Sequence, residues 1–280
     1  MTEYQFFATC PKSLEGLLFN EITQLGATDV RETVAGVYFS GNLETAYRIC
    51  LWSRLANKIL LPLASFDVNS QEDLYNGTRD IAWEEHLRPT GSLLVDFVGT
   101  SDAIRNTQFG AVKIKDAIVD CLRDATGERP SVAKQDPDLR VNARLSKDKV
   151  VISIDLSGDS LHRRGYRLKQ GHAPMKENLA AAILLRAGWP QIAAEGGALL
   201  DPMCGSGTIL IEAALIAADI APGLSRVNFG FERWLKHSPQ IWQTLRNEAN
   251  ERRRIGLEKE LPEIRGYDAD VKVIRAAEEN

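Results

Sequence analysis

The sequence predicts two units: an α+β module over residues 1–158, and the opening of an α/β, Rossmann-like domain from residue 176 onward. Three observations carry this. At 280 residues the chain is longer than one domain of typical size needs. Short strand-like and helix-like stretches alternate through its first half. A buried strand, a glycine loop and a helix then follow one another directly in GALLDPMCGSGTILIEAALIAADIAPG.

Taken in order, YQFFATC reads as a strand. Ser13 can then cap a helix on which Leu14, Leu17, Leu18, Ile22 and Leu25 recur at helical spacing, with Gly26 at the expected closing position. DVRETVAGVYFSG follows as a strand or hairpin and Leu43 to Asn57 as a helix. ILLPLASFDV returns as a strand, in which Pro62 suggests an edge. A polar stretch, a short helix near Ala82 to Leu87 and the strand SLLVDFVGTS come next. Asn106 to Ala125 has the period of a long amphipathic helix, with Phe109, Val112, Ile114, Ala117, Ile118 and Leu122 on its buried side. LRVNARLSKDKVVISIDLSG predicts a β-hairpin folded at Ser146 to Lys149. A basic connector, residues 159–175, contains LHRRGYRLKQGH. Beyond it, Lys176 to Ala187 predicts an Ala/Leu-rich helix, the glycine-loop unit follows, Phe231 to Glu260 reads as a polar, helical insertion, and EIRGYDAD as a short strand.

Composition excludes several classes. Hydrophobic residues at 44% and charged residues at 26% suit an ordinary globular chain. Apolar runs such as Ile59 to Ala64 fall far short of the roughly 20 residues that span a bilayer. MTEYQFFATC lacks the basic start and apolar stretch of a signal peptide. The cytoplasm is the simplest compartment, and no membrane partner is expected. Cys10, Cys50, Cys121 and Cys204 form no C-x-x-C pair, so neither disulfides nor a metal site is expected. The net charge of −4 is unevenly spread. Residues 101–175 carry fourteen Lys and Arg against ten Asp and Glu, whereas the segments on either side are acidic. A local polyanion-binding face is therefore compatible with an acidic total.

The segment that carries chemistry is DPMCGSGTILIEAA, Asp201 to Ala214. An apolar strand (Ala198, Leu199, Leu200) feeds a loop with glycines at 205 and 207, and a helix starts directly after. Glycines there let main-chain N–H groups at a helix N-terminus approach a nucleotide-like ligand. A dinucleotide fits badly. The third glycine of G-x-G-x-x-G is replaced by Leu210, and the acid nearest the usual spacing, Asp219, lies in the helical stretch. Asp201 just ahead of the loop suits an ammonium group, and Asp268 in GYDAD suits a ribose diol; S-adenosyl-L-methionine has both. Asp270 is an alternative ribose ligand. Cys204 has no accompanying base, so packing beside the loop is its simplest role.

D-P-x-C-G-S-G-T followed by I-E-A-A resembles the first motif of class I methyltransferases that modify guanine exocyclic nitrogens, and GYDAD resembles their second. LWSRLANKILLPL, IRNTQFGAVKIKDAIVD, DLSGDSLHRRGYR and APMKENLAAAI extend the resemblance over essentially the whole chain, to the N-terminal half of the bacterial fused 23S ribosomal RNA methyltransferases. The resemblance implies a ferredoxin-like segment plus a THUMP RNA-binding domain in residues 1–158 (THUMP about 43–158), a basic linker over 159–175, and the N-terminal part of a methyltransferase domain over 176–280. It implies methylation of guanine N2 in 23S rRNA or a large-subunit assembly intermediate, with a second half acting on guanine N7. The cofactor pocket would comprise Asp201, Pro202, Met203, Cys204, Gly205, Ser206, Gly207, Thr208 and Asp268. The family's catalytic Asn-Pro-Pro-Tyr, which should clamp a flipped guanine, does not occur in these 280 residues. The chain is thus expected to be an inactive fragment without catalytic residues. A tRNA guanine-N2 methyltransferase shares both module types, and a pure RNA-binding module is the non-enzymatic alternative.

For RNA, Arg105, Asn106 and Gln108 open the long helix that bears Lys113 and Lys115. Arg140 and Arg144 alternate on one strand and so share a face. Arg163, Arg164, Arg167 and Lys169 around Tyr166 combine phosphate-binding cations with a stacking ring. His162 and His172 read as polar linker residues, and Trp189, Trp234 and Trp242 as packing residues.

Overall fold

The computed structural model describes residues 2–169 and 175–280. The first unit runs β1 (Tyr4–Thr9), α1 (Glu15–Gln24), β2 (Thr28–Thr33), β3 (Gly36–Gly41), α2 (Leu43–Trp52), β4 (Lys58–Asp67), α3 (Gln71–Arg79), β5 (Ser92–Val98), α4 (Thr107–Thr126), β6 (Ser131–Val132), β7 (Leu139–Ser146) and β8 (Lys149–Asp155). Its eight strands form one mixed sheet in the order β2-β3-β1-β4-β8-β7-β5-β6. Alternation along the strands decides which face is buried. Phe6 and Ala8, Val141 and Ala143, and Ile152 and Ile154 point to one side and join Ile114, Ile118 and Leu122 of α4 in a single apolar core.

Helices α2 and α4 start where a short polar side chain satisfies free N–H groups. Asn42 accepts from Thr45 N at 3.0 Å, and Asn106 from both Gln108 N and Phe109 N. Gly127 closes α4 in the left-handed conformation (φ +78°).

Several sequence expectations need correction. Ser13 does not cap α1: it has a positive φ, and the N-cap position is Leu14, which makes no side-chain cap bond. The second helix stops at Trp52, not Asn57. Glu21 draws Ser53 and Arg54 out of it, accepting from Ser53 Oγ at 2.6 Å and Arg54 N at 2.7 Å. The polar stretch after β4 is helix α3, opened by a reciprocal Ser70–Asp73 capping box, whereas Ala82 to Leu87 contains only a 3₁₀ turn at Trp83–Glu85. Pro62 lies on an interior strand. Yet β1 covers only Lys58–Leu60 of β4, and Pro62 stands beyond that ladder at a register shift, so it is locally at an edge. Phe109 and Val112 do not line the buried side of α4 and are 39% and 46% exposed.

The second unit comprises α5 (Glu177–Arg186), α6 (Trp189–Ala194), β9 (Leu199–Asp201), α7 (Thr208–Ala217), α8 (Pro239–Glu258), β10 (Ile264–Gly266) and α9 (Val271–Glu279). Strands β9 and β10 pair in parallel, Leu199 opposite Ile264 and Asp201 opposite Gly266. Residues 231–260 are not a solvated insertion. Phe231, Trp234, Trp242, Leu245 and Ala249 are buried in the same core as the first unit, with Phe231 stacked on Tyr47 at 4.0 Å between ring centroids. Arg252 lies 3.8 Å above the Trp52 ring, and Arg48 pairs with Glu248 at 2.8 Å. The two units are therefore joined through one continuous apolar core.

Candidate functional site

The glycine loop sits at the carboxyl ends of two parallel strands and at the N-terminus of α7, the place where an α/β sheet offers main-chain donors to a ligand. Cross-links between the two strand ends fix it. Tyr267 N donates to Asp201 O at 2.8 Å, and Cys204 N to Tyr267 O at 2.9 Å. Asp268 reaches across to accept from Gly205 N at 3.0 Å and from Asp270 N at 2.9 Å. These backbone donors, Asp270 first and Gly205 second, hold its carboxyl below the ordinary carboxylate range, so it is ionised at neutral pH. Asp270 is turned elsewhere: it caps α9 by accepting from Lys272 N at 2.8 Å.

Asp201 accepts from Met203 N at 3.0 Å through one oxygen, and its other oxygen has no hydrogen-bond partner among the described residues. Gly205 (φ +54°) and Gly207 (φ +78°) both occupy the left-handed region. A Cβ on Gly205 would meet nothing within 4 Å, so space lies beside the loop there. A free acceptor oxygen on Asp201, the ionised Asp268 carboxylate and open room at Gly205 fit a ligand with an ammonium group and a ribose. Within the loop, Met203 points away (82% exposed), whereas Cys204, Ser206 and Thr208 are buried. Burial, then the charges of Asp201 and Asp268, push the Cys204 thiol up, as suits packing and not nucleophilic attack.

The connector behaves differently from its sequence expectation. Arg164 is 2% exposed and faces inward, with Nε 3.4 Å from Glu212 and Nη1 donating to Leu161 O at 2.7 Å. Tyr166 donates to the same Glu212 at 3.2 Å. Arg167 donates to Glu177 at 2.8 Å, to Met175 O at 2.8 Å and to Thr208 Oγ1 at 3.0 Å. These three side chains are therefore taken up inside the protein, where they moor the connector to α5 and to the glycine loop, and they are withdrawn from an external polyanion. Desolvation drives this arrangement, because a buried guanidinium must find carboxylates and carbonyls. Arg163 and Lys169 remain exposed on the connector. His162 is half-buried against Ser160 Oγ at 2.8 Å, and burial pushes it below its usual value. His172 and the rest of residues 170–174 lie outside the described residues.

Of the remaining cations, Arg105 is exposed beside Phe109 and Val112 in a groove at the start of α4. Lys113 lies 5.0 Å over the Tyr75 ring, and Lys115 is paired with Asp116. Arg140 is mostly buried and donates to Gly158 O at 3.0 Å, while Arg144 is exposed on the same sheet face. Trp189 packs in the second unit's own small core, donating to Ala213 O at 2.9 Å, and Trp234 and Trp242 pack in the shared core.

Sequence reasoning missed two mooring groups. Arg54 donates to Ile220 O at 2.8 Å and Leu215 O at 3.3 Å, capping the end of α7 from the first unit. Asn280 accepts from Leu168 N and Lys169 N and donates to Ser206 O at 3.2 Å, tying the connector to the loop. Neither leaves a local signal, since each partner is more than 70 residues away.

Residues 5–60 match the RlmL ferredoxin-like domain, residues 68–155 the THUMP domain, and residues 164–280 the RMKL-like methyltransferase domain. The ferredoxin-like match runs on past residue 43, where the sequence reading began the THUMP domain. The chain is 75% identical, over 99% of its length, to ribosomal RNA large subunit methyltransferase K/L of Cellvibrio japonicus, and spans 37% of that protein. Among solved structures it resembles SMU.472 in complex with SAH (TM-score 0.86, 31% identity, covering 100% of this chain and 72% of that one). It also resembles a predicted N6-adenine-specific DNA methylase from Listeria monocytogenes (TM-score 0.84, 33% identity, 100% and 71% covered).

Proposed function

The chain belongs to the family of THUMP-bearing, RMKL-like methyltransferases, and from that premise we propose that it carries the RNA-recognition and cofactor-loop machinery of an enzyme that uses S-adenosyl-L-methionine to methylate guanine N2 in 23S ribosomal RNA. The observation that carries the cofactor is the pairing of Asp201, with one oxygen left over, and Asp268, locked against Gly205, on either side of an open glycine loop. Asp201 would take the ammonium group and Asp268 the ribose hydroxyls. Asp270 is already committed to α9 and is the weaker ribose candidate. The cofactor supplies the methyl group when bound. The chain's own contribution is placement: the loop fixes the methionine end, and the connector, through Arg167 and Thr208, holds that loop against the RNA-binding unit.

Ribosomal rather than transfer RNA is favoured by the curated relatives, which are named as large-subunit rRNA methyltransferases. The guanine-clamping Asn-Pro-Pro-Tyr is assigned to the part of those relatives that this chain does not span, as is a second half acting on guanine N7. On this reading the 280 residues alone bind RNA but transfer no methyl group. Among the described residues no helix is long and apolar enough to cross a membrane; the cytoplasm is the compartment assigned, from the substrate.

The test is calorimetric titration of S-adenosyl-L-methionine into this chain and into a version extended downstream along a close relative, each with and without Asp201→Ala. Binding by the extended protein that the substitution abolishes supports the reading. A folded extended protein that shows no binding overturns the cofactor assignment.

A further inference from the structure

The eight-stranded sheet has two faces, and the helices cover only one. On the other, cross-strand neighbours line up as Tyr38, Phe7 and Leu60 across β3, β1 and β4, and as Pro62, Ser153 and Asn142 across β4, β8 and β7. Phe7 and Leu60, although largely buried, lie outside the main core. They form the floor of a separate groove of about 610 Å³.

The groove has an identifiable cause. Continuing the β1–β4 ladder by one step of the same face would set Gln5 opposite Pro62, which has no N–H to donate. The ladder ends at Leu60, and the sheet opens there.

The lining suits one kind of occupant. Tyr38 is 40% exposed and packs on Phe7 at 4.6 Å between centroids, an aromatic pair with one ring facing solvent. Arg144, Lys147 and Lys149 border the groove and make no ion pair among the described residues, against two carboxylates, Asp67 and Asp148, at the turn end. Asn142 and Ser153 add neutral hydrogen-bonding groups between the ring and the cations. An exposed aromatic ring on an open sheet, flanked by unpaired cations, is what an unstacked base and its phosphates require. A paired helix offers no base face to such a floor. The same face leads along β7 through Arg140, bonded to Gly158 O, toward Arg163 and the connector, whose Arg167 is bonded to Thr208 beside the cofactor loop.

Resting on the RNA reading given above, we propose that this open sheet face is a binding site for a short unpaired stretch of RNA, with a base stacked on Tyr38 and phosphates held by Arg144 and Lys149. The chain as it stands can be tested with a single-stranded RNA octamer carrying 5-iodouridine, by fluorescence anisotropy and by photocrosslinking read by mass spectrometry, with a duplex of the same sequence for comparison. The expected result is preference for the single strand and crosslinks at Tyr38 or Phe7. Tyr38→Ala should weaken binding about tenfold, the usual effect of removing one stacking platform, and Tyr38→Trp should restore it. Arg144→Gln should lower the slope of log affinity against log salt by about one. Circular dichroism checks that each variant is folded. If RNA binds but the crosslinks fall elsewhere and Tyr38→Ala binds like the parent, the subsite is wrong while the RNA reading stands. If neither strand form binds at low salt, both fail. If a downstream-extended protein shields Tyr38 from iodination without RNA, the face is covered by polypeptide and the proposal is overturned.

Discussion

Acidification should weaken the joint between the two units through one side chain, His86. Its ring lies parallel to Trp234 of the second unit (centroids 6.0 Å apart, planes at 11°), and Trp234 Nε1 donates to His86 Nδ1 at 3.1 Å. That bond requires Nδ1 to be an unprotonated acceptor. Burial, and then the Lys236 charge, push His86 from 6.5 down to about 4. In the unfolded chain the imidazole takes its proton near 6.5, so the folded form is fully favoured above pH 6.5. The advantage is lost as pH falls from 6.5 toward about 4 and does not change below that. The full displacement corresponds to at most about 3.4 kcal/mol at 1.36 kcal/mol per pH unit. Solvent reaching the ring edge brings the expected loss to about 2 kcal/mol. Urea unfolding followed by tryptophan fluorescence at about pH 7.5 and about pH 4.5 measures it, with His86→Asn as the comparison. Asn keeps an acceptor near the Nδ1 position but does not titrate. Carboxylates titrate in both proteins and cancel in the difference. The parent should lose about 2 kcal/mol more than the variant on acidification; equal losses would refute the reasoning.

Arg164→Ala should destabilise by about 3–5 kcal/mol, because the buried Glu212 would lose its guanidinium partner, and the paired change Arg164→Met with Glu212→Leu should recover only part of that loss, since Tyr166 Oη and the carbonyl oxygens of Leu161 and Arg54 lose their hydrogen bonds as well; both are read from urea midpoints. Gly256→Val should cost about 2–3 kcal/mol, since a Cβ there would run into the Ala218 backbone carbonyl, which cannot swing aside as a side chain can; differential scanning calorimetry gives the change. Ser70→Ala should remove the cap of α3 at about 1 kcal/mol and raise hydrogen exchange at Asp73 N, its bonded donor; unchanged exchange there would show that the cap carries no load.

Much of this protein is local and so was legible in the sequence. The strand, glycine loop and helix at Leu199–Ala217 depend on an apolar run, two residues that tolerate positive φ, and a helix-forming stretch directly after, all within 20 residues. The hairpin at Leu139–Asp155 and the helix closed by Gly127 are equally local. The family followed from the same segments, because the motifs lie in those strands and loops. Helix α3 was missed although its signal, a serine followed three residues later by an acid, was present, because the stretch lacks a strong apolar stripe.

What only the tertiary structure decided is which polar groups stay in water. Arg163 and Arg164 are neighbours of one type, yet one is exposed and the other sealed against Glu212, 48 residues further on. Residues 231–260 look solvated from their composition, but Phe231 and Trp242 are buried beside Tyr47, nearly 200 residues earlier, and Trp234 against His86. The basic, aromatic face at Tyr38 and Arg144 exists because a proline ends a ladder between strands more than 50 residues apart. Periodicity specifies the side of its own helix or strand that a residue occupies. What that side meets depends on how distant elements pack, and burial, charge pairing and the free cations of the open sheet face are all consequences of that packing.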